Sequence, residues 1–252
     1  VMDDLSEKYT LQHIVTVFEN SVFRKELLSK CKDTSIKTLW EDIMLKTIGD
    51  YAFANYAPYI TSKLTRFLND HFLRPIITQR TSSINFRNII DTNKILLIRL
   101  TKGRLGDVST KFIGRILLNK LIMAAYSREN IEEKDRVDFT LFIDEFQNFI
   151  SSDIENAMSE ARKYHLRLVL ANQTVAQINK DILNSVLGNV GSMIFFRPGI
   201  LDAEQIKAFF EPYFTKQEML NLPNYTCVAK LQINNQPSLP FVMKTIIQEE
   251  LL

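Results

Sequence analysis

The chain is poor in glycine, with seven in 252 residues, and none stands in a G-x-x-x-x-G-K-[ST] arrangement. The backbone amides of such a loop cradle phosphates, so the sequence excludes a self-contained P-loop. The nearest run, Thr101-Lys102-Gly103-Arg104-Leu105-Gly106, has the wrong order and spacing. Cysteine is scarce: Cys31 and Cys227 lie far apart, which excludes a thiolate metal pair and fits reduced thiols in a cytoplasmic setting. His13, His71 and His165 have no metal-ligand spacing, so neither a zinc site nor histidine catalysis has support. No apolar run approaches the roughly 18 residues needed to cross a bilayer, so membrane association is expected only through a partner or through sequence outside this chain. The net charge of +2 is too small to argue for nucleic acid by itself.

What is present is an ordinary globular composition, 46% hydrophobic and 24% charged, over a length that suits one large domain or two small ones. Residues 1–82 read as an all-α domain. Leu11, Ile14, Val15, Phe18 and Val22 recur at helical spacing, as do Phe23, Leu27 and Leu28. Asp33-Thr34-Ser35 offers caps for a helix over 36–47, and Pro58 suits the first turn of a helix through Ile60, Leu64, Phe67 and Leu68, with Pro75 near its end. Trp40, Phe53 and Tyr56 are expected in the core of this unit.

Over residues 83–252 the texture becomes α/β. Phe139–Ile143 reads as a strand buried on both faces, and Lys94–Leu100 (KILLIRL), Leu166–Ala171 and Ser192–Phe196 read as further strands. A long helix over Val108–Arg128 separates the first two, with Phe112, Ile116, Leu117, Leu121 and Ile122 as its apolar stripe. Helices over Asp153–Tyr164, Val175–Leu187 and Asp202–Phe214 complete the alternation, which predicts a parallel-cored sheet. Tyr225–Ile233 and Leu239–Lys244, around Asn234-Asn235-Gln236-Pro237, predict a closing β-hairpin.

The chemistry gathers at strand ends. The Phe139–Ile143 strand stops on Asp144 and Glu145, the Walker B form, in which the Asp holds the magnesium shell and the Glu orients water. The same acids also fit a helix N-terminus as plain caps. The next strands end on Asn172-Gln173 and on Arg197, so an acid pair, an amide and a guanidinium are expected along one sheet edge, where open α/β sheets bind ligands. Gln173 suits a phosphate-sensing amide or a turn residue. Arg162 is either a cation at a helix C-terminus or a group reaching a neighbouring subunit's phosphate. Lys102 and Arg104, in a glycine-bearing loop, suit a nucleic-acid backbone or a solvated turn.

The runs LFIDEFQNF (Leu141–Phe149), SEARKYHLRLVLANQT (Ser159–Thr174), KILLIRLTKGRLG (Lys94–Gly106), GNVGSMIFFRPG (Gly188–Gly199) and LPNYTCVAKL (Leu222–Leu231) resemble the coupling-protein ATPases of type IV secretion and conjugation. These form the TraG/TraD-like branch of the HerA/FtsK superfamily. The resemblance implies a partial RecA-like motor domain over 83–252 and a small all-α insert over 1–82. It implies ATP and Mg as cofactors, DNA as cargo, a homo-hexamer, secretion-channel or relaxase proteins as partners, and work in the cytoplasm at the inner face of the membrane. In the same terms Asp144 coordinates magnesium through water, Glu145 activates the attacking water and Gln173 is the sensor. Arg162 or Arg197 acts on a neighbour's nucleotide. The family's Walker A strand precedes the helical insert, so this chain reads as the C-terminal part of a longer ATPase. An empty slot is then expected between the Leu166–Ala171 and Ser192–Phe196 strands. A non-hydrolysing adaptor of the same fold is the alternative.

Overall fold

In a computed structural model of the chain, residues 9–41, 49–150 and 158–246 are described here. They fall into two compact units, one comprising 1–85 with Leu96–Gly114 and the other Phe86–Ile95 with 115–252.

The first unit is helical. Asn20 caps the Ser21–Ser29 helix by accepting from the amides of Val22 and Phe23, both at 3.0 Å. The same residue ends the Leu11–Glu19 helix, so the stripe expected to run through Val22 is broken there. The buried residues are instead Val17, Arg24, Leu27 and Leu28, and Val22 is 75% exposed. Asp33 accepts from Ser35 N at 2.8 Å and starts the Thr34–Thr38 helix as its sequence suggests; most of the expected continuation to 47 lies outside the described residues. Pro58 sits inside the Gly49–Leu68 helix, not in its first turn, and Pro75 opens the next helix, Arg74–Ile77. Phe67 stacks on Phe112 with centroids 3.9 Å apart, and Ser109 Oγ donates to Asp70 at 2.8 Å. Of the three aromatics expected in the core, Trp40 is half-buried against Phe18, Tyr56 is exposed, and the side chain of Phe53 lies outside the description.

The second unit is α/β. β1 (Phe139–Ile143) and β2 (Leu166–Leu170) pair in parallel, Ile143 opposite Leu170. β3 (Met193–Phe196), β4 (Thr226–Lys230) and β7 (Phe241–Lys244) form an antiparallel sheet in the order β3-β4-β7. Between β4 and β7, the two-residue strands β5 (Gln232–Ile233) and β6 (Gln236–Pro237) close the expected hairpin through Asn234 and Asn235, both at positive φ (51° and 62°) as a primed turn requires. One core joins the elements: Leu118 and Ile122 of the Asp107–Tyr126 helix pack with Ile143, Val186, Ile206, Phe210 and Val228. The buried stripe of that helix is Ile113, Leu118, Leu121, Ile122 and Ala125, turned from the expected one, with Phe112, Ile116 and Leu117 only half-buried.

Three expectations need correction. The strands do not share one continuous sheet: among the described residues β2 and β3 each present an unpaired edge to a cleft of about 1190 Å³, lined by Leu166, Leu168 and Leu170 on one side and Met193 and Phe195 on the other, and this cleft lies where the empty slot is expected. β1 is not buried on both faces, since Phe142 is 73% exposed. Lys94–Leu100 forms no strand, and Ile95 and Leu97 are 88% and 90% exposed. An apolar run becomes a strand only where a neighbouring edge takes up its amides and carbonyls, and this segment has none among the described residues.

A buried arginine anchors the opposite ends of β1 and β2. Arg128 is wholly buried; it donates to Tyr164 O at 2.9 Å and Val137 O at 2.6 Å, and its Nε lies 3.1 Å from Asp91. That last contact is an ion pair whose angle does not make a hydrogen bond. Burial pulls the guanidinium below its ordinary pKa, against the attraction of Asp91.

Candidate functional site

The ladder between β1 and β2 runs one step past the strands and then opens. Ala171 N donates to Ile143 O at 2.9 Å, and Phe146 N donates to Ala171 O at 3.0 Å. Both bonds use the same residue of the β2 side, so Asp144 and Glu145 are looped out of the ladder like the extra residues of a bulge. Glu145 takes up the excursion with φ 50°, a left-handed conformation that costs a non-glycine residue on the order of 1 kcal/mol. Several bonds hold it there. Asn148 donates to Glu145 O through its backbone N at 3.0 Å and its side chain at 3.1 Å, and Glu145 N donates to Asp144 Oδ1 at 3.0 Å. The Asp144 side chain is exposed at the strand end.

Glu145 is also gripped by its carboxylate. Gln147 Nε2 donates to Glu145 Oε2 at 2.5 Å and lies 3.3 Å from Gln177 Oε1. Gln177 belongs to the turn after β2, and that turn is pinned by Asp202, which is only 8% exposed. Thr174 Oγ1 donates to both Asp202 oxygens at 3.0 Å, and Ala176 N donates to Oδ1 at 3.0 Å. Among the described residues Gln147 Oε1 and Asn172 Nδ2 are buried without a hydrogen-bond partner, an acceptor and a donor on the two strands' extensions.

The other sequence-predicted residues are spread more widely. Gln173 is exposed two residues beyond Ala171, while Asn172 is the amide that lines the cleft. Arg197 follows β3, in the other sheet, and is exposed; its Nη1 donates to Leu222 O at 3.4 Å and its Nη2 to Asn224 Oδ1 at 3.1 Å. Arg162 precedes β2, so a five-residue strand, roughly 16 Å at about 3.3 Å per residue, separates it from the acid pair. In the first unit, Lys102 and Arg104 lie on a helical turn, Lys102–Leu105, instead of an open loop. Lys102 Nζ is 3.3 Å from Asp107, and the Arg104 guanidinium lies 5.8 Å from the centroid of the Phe72 ring. The structure thus brings Asp144, Glu145 and the Asn172-Gln173 turn together and leaves Arg162 at the far end of the pair. Among the described residues no three His, Cys, Asp or Glu side chains cluster as a metal site.

Sequence reasoning missed Gln147, Gln177, Asp202 and Arg128. Gln147 had a local signal, an amide two residues past an acid in a turn. Asp202 reaches a turn 26 to 28 residues away, which no spacing rule anticipates.

Residues 138–209 match the family model described as the TraM recognition site of TraD and TraG. Over this stretch the chain is TraG/TraD-like. Among solved structures, the unbound bacterial conjugative coupling protein TrwB superposes with a TM-score of 0.63 at 14% identity, over 92% of this chain and 57% of that one. The plasmid coupling protein TrwB with the non-hydrolysable GTP analogue GDPNP gives 0.59 at 14%, over 92% and 57%, and TrwB with ADP and Mg2+ gives 0.55 at 16%, over 85% and 58%. At these identities the likeness establishes the α/β fold of that RecA-like kind. The chain spans a little over half the length of the TrwB structures it matches. No curated protein sequence matches it.

Proposed function

We propose that this chain is the Walker B part of a DNA-translocating ATPase of the coupling-protein kind, in which residues 1–82 are an insert-like helical domain and 83–252 a portion of the motor. The observation that carries the reading is the looped-out Asp144-Glu145 pair at the shared carboxyl end of two parallel strands, beside a cleft with an open strand edge on each side. A P-loop strand seated in that cleft, from the same polypeptide or another, puts phosphates near the acids.

The residues present fit a magnesium nucleotide. Mg2+ is ordinarily held by one or two carboxylates together with phosphates and water, and Asp144 is an exposed carboxylate, with no competing cluster of three acids among the described residues. The metal, when bound with ATP, neutralises charge developing on the phosphates. Asp144 orients its water shell, Glu145 holds the attacking water, and Gln173 senses the terminal phosphate. Arg197, whose partners are one carbonyl and one amide, has charge left to meet a phosphate, and Arg162 suits a contact with a neighbouring subunit of a hexamer. Lys102 and Arg104 face DNA in this reading. The stretch 138–209 meets a TraM-like or other relaxosome partner, at the inner face of the membrane, reached through a partner or through sequence outside this chain. One fact favours an alternative, a non-hydrolysing adaptor of the same fold: the 252 residues contain no P-loop.

The test is Mg-dependent ATP hydrolysis by this chain together with a P-loop segment, sought in frame upstream of the Val1 codon or on a partner polypeptide. Glu145→Gln is expected to lower kcat by on the order of 10² to 10³. Full activity in that variant, or no P-loop encoded upstream or on a partner, sinks the ATPase reading and leaves the adaptor.

A further inference from the structure

The geometry points to Gln147 as the residue that positions Glu145, in a relay that runs from Asp202 through the Thr174–Gln177 turn and Gln177. The inference rests on the ATPase reading and adds to it a role for a residue outside the acid pair.

The orientation of the Gln147 amide is dictated by its surroundings. Its Nε2 faces two oxygens, Glu145 Oε2 at 2.5 Å and Gln177 Oε1 at 3.3 Å. Both are acceptors, so only the NH2 end can point at them; the flipped amide would set oxygen against oxygen. The other end, Oε1, is buried with no hydrogen-bond partner among the described residues. A buried, unpaired acceptor is destabilising, and an apolar side chain in the same place would avoid it. Packing alone therefore does not account for a glutamine here, whereas holding the carboxylate does.

The consequence for Glu145 is asymmetric. Its backbone is fixed in the left-handed region by the two Asn148 donors, and one carboxylate oxygen is held by Gln147. The second oxygen, Oε1, makes no hydrogen bond to any described residue and is left to accept from a water. A long side chain that would otherwise sample several rotamers is thus held in one. Gln177 shares the donor, and its own place follows from Asp202, which ties the turn by Thr174 Oγ1 and Ala176 N. Asp202 lies on the Ile200–Ile206 helix, three residues past Gly199, so the segment after β3 and the acid pair after β1 are mechanically linked through this chain of bonds.

Two measurements decide it. In the purified chain, the side-chain amide protons of Gln147 are expected downfield of the other glutamine side chains by NMR, returning to the common range in Glu145→Ala and shifting in Asp202→Asn, which leaves Gln147 itself intact. In the full-length protein, Gln147→Leu is expected to lower kcat ten- to a hundredfold with KM for Mg-ATP within twofold. Gln147→Glu, which sets carboxylate against carboxylate, is expected to do so at least as strongly. An ordinary Gln147 resonance in the wild-type chain overturns the proposal, as does wild-type kcat in Gln147→Leu. If the wild-type full-length protein does not hydrolyse ATP, the ATPase reading fails and the catalytic purpose of the relay fails with it, even where the amide resonance is displaced. Hydrolysis by wild type with Gln147→Leu unaffected defeats the positioning role alone.

Discussion

Single buried polar residues carry more of this architecture than their number suggests. Asp202 accepts from two donors of the turn after β2, the Thr174 hydroxyl, shared between its two oxygens, and the Ala176 amide. Asp202→Ala removes the buried, charged acceptor of Thr174 Oγ1 and Ala176 N, and a loss of about 2 kcal/mol is expected, read as a lower urea midpoint at unchanged slope. Arg128 is a stronger case. It is fully buried, and its removal uncovers the Tyr164 and Val137 carbonyls and leaves Asp91 with Arg87 as its ionic partner among the described residues. Arg128→Met is expected to lower stability by about 3 kcal/mol in the same measurement. Loss below 1 kcal/mol would show that water reaches those carbonyls. The acid pair was legible at this scale because an apolar run ending on Asp-Glu is a local pattern. Arg128 was not, since a guanidinium inside a core is recognised only by the distant carbonyls it meets.

At the scale of elements, the Ile200–Ile206 and Lys216–Leu220 helices are joined by Glu204, which accepts from Lys207 and, at 2.7 Å, from Lys216. The Lys207 hydrogen bond, followed by that of Lys216, holds the Glu204 carboxyl at about 2, below its ordinary 4.5. A depressed folded pKa adds stability that is present above the unfolded value and is lost as pH falls. The contribution is therefore expected intact above about pH 5 and to fade between pH 4.5 and about 2. The group is solvent-exposed, so the effect is small and salt-sensitive. Comparing Glu204→Gln with the wild type at pH 6 and pH 3 checks it: the gap between them should shrink at the lower pH. The β5–β6 turn offers a second test. Asn234 and Asn235 both stand at positive φ, and Asn235→Ala is expected to cost about 1 kcal/mol, whereas Asn235→Gly is tolerated. Hairpin and turn were readable in advance because turn chemistry is local. The Lys94–Leu100 segment was misread because its pattern is equally apolar with or without a partner edge.

For the molecule as a whole, the open edges of β2 and β3 and the cleft between them dominate. Facing unpaired strand edges invite another strand. The chain alone is expected to show no ATP turnover, because its sequence holds no G-x-x-x-x-G-K-[ST] loop to cradle phosphates. Mg-dependent hydrolysis by the purified 252-residue chain would contradict that expectation.

The sequence by itself determined the helix–strand alternation, the strand that ends on Asp144-Glu145, the hairpin turn and the want of a P-loop, because periodicity, turn residues and motif spacing are short-range properties. Only the tertiary structure decided which strands pair, that Asp144 and Glu145 are looped out opposite Ala171, that Asn172 and not Gln173 lines the cleft, and that Gln147 grips Glu145. These depend on backbone edges and side-chain ends that meet from distant parts of the chain, and no local pattern specifies which of them finds which.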